Sequence, residues 1–69
     1  MTEFKLNSDF IELDNLLKVL NLVAGGSQAR ELIRQGQVAV NAAAETRLRR
    51  KIRAGDVVRI GEQEIRIVA

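Results

Sequence analysis

Residues 12–41 read ELDNLLKVLNLVAGGSQARELIRQGQVAVN, and this stretch decides the fold. Leu13, Leu16, Leu17 and Leu20 recur at helical spacing, with Phe10 ahead of them on the same stripe. Asp9 and Glu12 form a variant of the capping box, so the spacing predicts a first helix over about 10–20 that frays near Asn21. Asp14 and Lys18 lie four apart on its exposed side, in the better orientation for an ion pair. Gly25-Gly26 breaks the chain, and Ser27 is a good N-cap. A second helix follows over about 28–35, its buried stripe made by Ala29, Leu32 and Ile33. Gly36 stands where a left-handed C-terminal cap is wanted. Val38 and Val40 then alternate as a strand up to Asn41.

Outward from this stretch the pattern changes to strands. Residues 2–6 alternate, with Phe4 and Leu6 inward and Glu3 and Lys5 outward. Gly55-Asp56 is a turn signal. Residues 57–60 and 63–68 read as a hairpin about Gly61-Glu62, which suits a type II′ turn. A two-residue loop sets Ile60 opposite Gln63, Arg59 opposite Glu64 and Val58 opposite Ile65. One face then carries Val58, Ile60, Ile65 and Ile67. The other carries the pair Arg59 and Glu64, worth about 0.2–1 kcal/mol. A slip of one residue destroys this agreement, so the register is well specified. The expected class is α+β: a two-helix N-terminal half packed on a small, mostly antiparallel sheet.

Composition narrows the function. The 69 residues make one small domain, 1–69, and 46% of them are hydrophobic, which supports a folded core. There is no Cys, His or Tyr. Disulfides and ordinary zinc sites are excluded, and the usual nucleophile and base pairings are missing. Ser8 and Ser27 have no imidazole to activate them. The chain therefore reads as non-enzymatic, without cofactor or metal. No apolar run exceeds three residues, which excludes a transmembrane helix and a secretory leader and makes the cytoplasm the expected location.

The net charge is +2, but it is unevenly spread. Residues 1–29 sum to −2, residues 30–53 to +5 and residues 54–69 to −1. A basic block of this kind is the footprint of polyanion binding. Arg30 and Arg34 share one face of the second helix, beside the anion-attracting N-terminus at Gly25-Gly26-Ser27. In Arg47-Leu48-Arg49-Arg50-Lys51-Ile52-Arg53, extension throws Arg47, Arg49, Lys51 and Arg53 to one side and Leu48 and Ile52 to the core. Arg50 falls on the inward side and must snorkel or sit in a bend. The plain alternatives are a solvated helix face and a charged edge strand that deters aggregation. Phe4 and Phe10, the only aromatics, both fit core positions. No stacking platform for single strands is left, so phosphate and shape recognition of folded RNA fits best.

The ordered run Leu13, Asp14, Leu16, Leu17, Ala29, Arg30, Leu32, Ile33, Gly36, Val38, Val40 and Asn41 resembles the RNA-binding domain named after ribosomal protein S-four. The later Ala54-Gly55-Asp56-Val57-Val58 resembles that family's Gly-Asp turn into its next strand, which sets the core motif at about 12–58. With Glu45-Thr46-Arg47 and the N-terminal strand, the chain is similar to the family's small stand-alone bacterial members. The resemblance implies a cytoplasmic, non-catalytic alpha-L RNA-binding module. The expected partner is structured RNA, ribosomal or tRNA-like, including ribosomal particles, with no membrane partner and a monomeric chain. It points to Ser27, Gln28, Arg30 and Arg34, with Arg47, Arg49, Arg50, Lys51 and Arg53 extending the surface. Two positions depart from the family pattern. Glu12 stands where many members have Arg, and Ala42 where Gly usually follows Asn, so a different turn is expected there. A helix-turn-helix DNA reader and a protein-interaction adaptor on ribosomal particles remain the alternatives.

Overall fold

A computed structural model describes residues 2–69. Among the described residues nine short elements follow one another: β1 (Thr2–Lys5), β2 (Ile11–Glu12), α1 (Leu13–Val19), α2 (Gly26–Arg34), β3 (Val38–Val40), β4 (Ala43–Ala44), β5 (Lys51–Ile52), β6 (Val57–Ile60) and β7 (Gln63–Val68). Five strands make one sheet in the order β1-β7-β6-β3-β4, and β2 pairs separately with β5. Only the β1–β7 pairing is parallel. The α+β class expected from the sequence is therefore the observed one.

The C-terminal hairpin has the expected register, with Val58 opposite Ile65, Arg59 opposite Glu64 and Ile60 opposite Gln63. Gly61 takes φ 60 while Glu62 does not turn left-handed, as a type II′ turn requires. Ile65, Ile67 and Val58 are buried with Val38 and Val40 of β3. Leu13, Leu16 and Leu17 of α1 and Ala29 and Ile33 of α2 close the core from the helix side. Both helices end in Schellman motifs. Asn21 (φ 58) and Gly36 (φ 73) are the left-handed residues. The Leu22 N–H reaches the Leu17 carbonyl, and the Gln37 N–H reaches the Leu32 carbonyl, each at 3.1 Å.

Three local expectations are corrected. The first helix begins at Leu13, not near residue 10, and Asp9 does not cap it. Ile11 and Glu12 are instead extended against Ile52 and Lys51. The freed N–H groups of Leu13 and Asp14 donate to the Arg50 and Leu48 carbonyls at 2.9 and 3.1 Å, so backbone replaces the side-chain cap. Among the described residues the Asp14–Lys18 ion pair does not form; the Asp14 carboxylate accepts from the Asn15 N–H at 2.8 Å. The second helix starts two residues early, so its N-cap is Gly25 and Ser27 lies in the first turn.

The different turn expected at Ala42 is also corrected: Asn41 (φ 53) and Ala42 (φ 71) are both left-handed, as a two-residue type I′ hairpin requires, so alanine adopts the turn that Asn-Gly favours. That conformation costs an alanine about 1–2 kcal/mol, whereas glycine adopts it freely. Ala42→Gly is therefore expected to raise stability by about 0.5–1 kcal/mol after the extra freedom of glycine in the unfolded chain is subtracted. Urea unfolding reads this directly. A lowered midpoint would contradict the strain at Ala42.

Candidate nucleic-acid interface

The basic segment between β4 and β6 is not a regular strand. It turns at Leu48-Arg49, where the Arg50 N–H meets the Arg47 carbonyl at 3.4 Å, and is extended only over Lys51–Ile52. Its two apolar anchors behave as the alternation predicts: Ile52 is fully buried and Leu48 packs against the core. The cations divide by what holds them.

Glu45 is the centre of the first group, and the only buried charged side chain among the described residues. Its N–H donates to the Val38 carbonyl at 2.9 Å, which continues the β3–β4 pairing and fixes its backbone. Its carboxylate accepts from Arg47 through Nε at 3.0 Å and Nη2 at 3.1 Å, and from the Arg47 N–H at 2.9 Å. Arg50 donates through Nη1 at 2.6 Å. The fork of Arg47 and its N–H, seconded by Arg50, holds the Glu45 carboxyl down at about 2, against the opposing cost of burial. Glu45 is ionised at neutral pH, and the bend foreseen at Arg50 is a fold-back onto this carboxylate.

The second group has no carboxylate partner. Among the described residues, Arg30, Arg34 and Arg49 are exposed and form no ion pair. Lys51 and Arg53 lie over the Phe10 ring, at 5.0 and 5.7 Å from its centroid. Phe10 is thus not a core residue of α1. It is half-buried before β2, with both cations within cation–π distance of its ring. Arg47, Arg49, Arg50 and Lys51 line an open depression of about 420 Å³.

Two hydrogen-bonded polar residues fix the far end of the segment. The Asp56 carboxylate accepts from the Arg53 N–H at 2.8 Å and from Asn41 Nδ2 at 2.9 Å. Asn41 Oδ1 accepts from the Val57 N–H at 3.0 Å. The strand-ending Asn and the Gly-Asp turn are therefore parts of one lock between β3 and β6.

Around α2, Gln28 is occupied: its Oε1 accepts from the Ala24 N–H at 2.6 Å, a reach back across the helix start. Ser27 is exposed in the first turn, beside backbone N–H groups that lack intrahelical acceptors. Packing links α2 to the basic segment through α1, which adjoins α2 and also β2, the partner of β5. Glu12 stands opposite Lys51 and places a carboxylate at the rim of the basic segment. The outer sheet face is close to neutral: Arg59 meets Glu64 at 3.8 Å and Arg66 meets Glu3 at 3.9 Å.

Sequence reasoning missed Glu45 and the seat of Phe10. A single acid placed just ahead of five cations in seven residues was the available signal for the first.

Comparison with known proteins agrees with this architecture. The S4 domain model matches residues 4–68. YbcJ of Escherichia coli K12 and YbcJ of Shigella flexneri are each 42% identical over 59 residues, covering 86% of this chain and 84% of theirs. The solution structure of E. coli YbcJ superposes with a TM-score of 0.76 at 40% identity, over 100% of this chain and 89% of that one. That structure is described as having an alpha-L motif involved in RNA binding. With the family model matched over residues 4–68 and relatives 42% identical over 86% of its length, this chain belongs to the S4 domain family.

Proposed function

We propose that this protein is a non-catalytic module that binds folded RNA, ribosomal or tRNA-like, through its phosphates. The observation that carries the reading is the set of cations left without acids. Among the described residues Lys5, Lys18, Arg30, Arg34, Arg49, Lys51 and Arg53 are exposed and form no ion pair, and five of these seven belong to α2 and the basic segment, in a chain of net charge only +2. Arginines that are not neutralised internally are available for bidentate phosphate contacts. The involvement of the E. coli YbcJ motif in RNA binding supports the same reading. Base stacking contributes little, because Phe4 and Phe10 are the only aromatics, Phe4 packs against the core, and Phe10 is half-buried and engaged by Lys51 and Arg53. Binding is by charge and shape, in the cytoplasm, and by a single copy of the chain.

Competition between a stem-loop RNA and a DNA duplex of the same stem sequence tests the reading. RNA is expected to displace the duplex at matched phosphate concentration, since A-form shape and the 2′-hydroxyls add to the phosphate contacts. Preference for the duplex would favour the helix-turn-helix alternative. Binding of neither would remove the nucleic-acid reading.

A further inference from the structure

Glu45 poses an electrostatic problem. A carboxylate inside a basic block repels phosphate, so by charge alone it weakens the proposed interface. Yet it is buried, ionised and bound by three separate groups: the Arg47 guanidinium, the Arg47 N–H and the Arg50 guanidinium. These bonds tie residues 45, 47 and 50 into a closed ring. The same loop supplies the Leu48 and Arg50 carbonyls that cap α1, so its shape is coupled to the helix start. Arg49 and Lys51 are the members of the depression that the ring leaves free of acids.

We propose that Glu45 is a positioning residue for RNA binding. It engages Arg47 and Arg50 in closing the loop so that Arg49 and Lys51 are held in a fixed outward arrangement. This rests on the RNA-binding reading above. A fixed pair of cations loses less freedom on binding than a mobile one, which offsets the repulsion of one buried acid. The consequence runs against simple charge counting: removing the acid makes the protein more positive and yet weakens its binding.

The test compares wild type with Glu45→Gln, Glu45→Asp and Glu62→Gln, using a synthetic ribosomal stem-loop RNA. Glu62 is exposed in the hairpin turn, so its substitution adds the same charge without touching the loop. Glu62→Gln is expected to bind as wild type or slightly tighter. Glu45→Gln is expected to bind roughly tenfold weaker near physiological salt, the scale of removing one or two phosphate contacts. Glu45→Asp keeps the charge but is one methylene too short to span both guanidinium groups, and is expected to weaken binding as well. It also serves if the Gln variant does not fold.

Backbone order parameters of the free proteins give a readout that needs no RNA. The amides of Arg47 to Arg50 are expected to fall from about 0.85 toward 0.6 in the Glu45 variants, while the β6–β7 hairpin stays rigid. Binding by folded Glu45→Gln that equals or exceeds that of Glu62→Gln would overturn the proposal. So would unchanged loop order in both Glu45 variants. If wild type itself does not bind RNA, the functional reading falls and takes this role with it. A wild type that binds with an unaffected Glu45→Gln removes the positioning role alone.

Discussion

Reversing Arg30, Arg34, Arg49 and Lys51 to Glu together is expected to lower RNA affinity by roughly 10³-fold near physiological salt. The magnitude follows from counterion release. Each phosphate contact adds about −0.7 to −0.9 to the log–log salt slope, so removing one at 0.15 M lowers affinity about fivefold. Four such factors multiply to several hundred, and the introduced carboxylates add repulsion. The salt dependence itself flattens by about three units, which separates missing phosphate neutralisation from misfolding. All four side chains are exposed, and none is committed to an acid, so the fold should persist. Two of the reversals carry a structural cost: Arg34, in the last turn of α2, loses about 0.3–1 kcal/mol for its place near the helix C-terminus, and Lys51→Glu loses its contact with the Phe10 ring, about 0.5–1 kcal/mol, and sets a second acid opposite Glu12. Arg59→Gln with Arg66→Gln is the control. Both face acids across the outer sheet, and screening beyond about 8 Å limits their reach. A comparable drop in the control would mean that general charge, not this set of cations, drives binding.

Ile52→Ala is expected to cost about 2–5 kcal/mol. A chain of 69 residues has about 3–10 kcal/mol in total, so this is near half of it. Ile52 is fully buried, pairs with Ile11, and is the apolar anchor between Lys51 and Arg53. Its truncation should lower the urea midpoint by about half without changing the slope. The damage should also be uneven. Amide exchange at Leu13 and Asp14, whose acceptors are the Arg50 and Leu48 carbonyls, should accelerate more than in the β6–β7 hairpin. A destabilisation below about 1 kcal/mol, or uniform exchange, would contradict the claim that this residue joins the basic segment to the core.

The elements legible in the sequence are those whose partners are close along the chain. The β6–β7 hairpin follows from period-two burial plus the opposed Arg59 and Glu64, and the helix ends follow from Asn21 and Gly36. The start of α1 was illegible for a reason of range. Asp9 and Glu12 carry a valid local capping signal, but Ile11 and Glu12 pair with Ile52 and Lys51, about forty residues away, and that pairing overrides it. Ala43–Ala44 gives no alternation at all, so β4 is visible only through its partner β3. The site divides the same way. That residues 47–53 are basic and anchored by Leu48 and Ile52 was legible. Which arginines are neutralised internally was not, because it depends on the burial of Glu45 and on its two guanidinium partners. Phe10 fits the apolar stripe of a helix that begins only after it, so its place beneath Lys51 and Arg53 had no periodic signature.

The most direct test of the central claim is cross-linking in cells followed by sequencing of the bound RNA, with the Arg30, Arg34, Arg49 and Lys51 reversal as the control. Enrichment of a defined ribosomal or tRNA element by wild type, abolished in the variant, is the expected result. A flat RNA profile, or an enrichment that survives the four reversals, would contradict phosphate recognition by these cations and shift the basic surface toward an acidic protein partner.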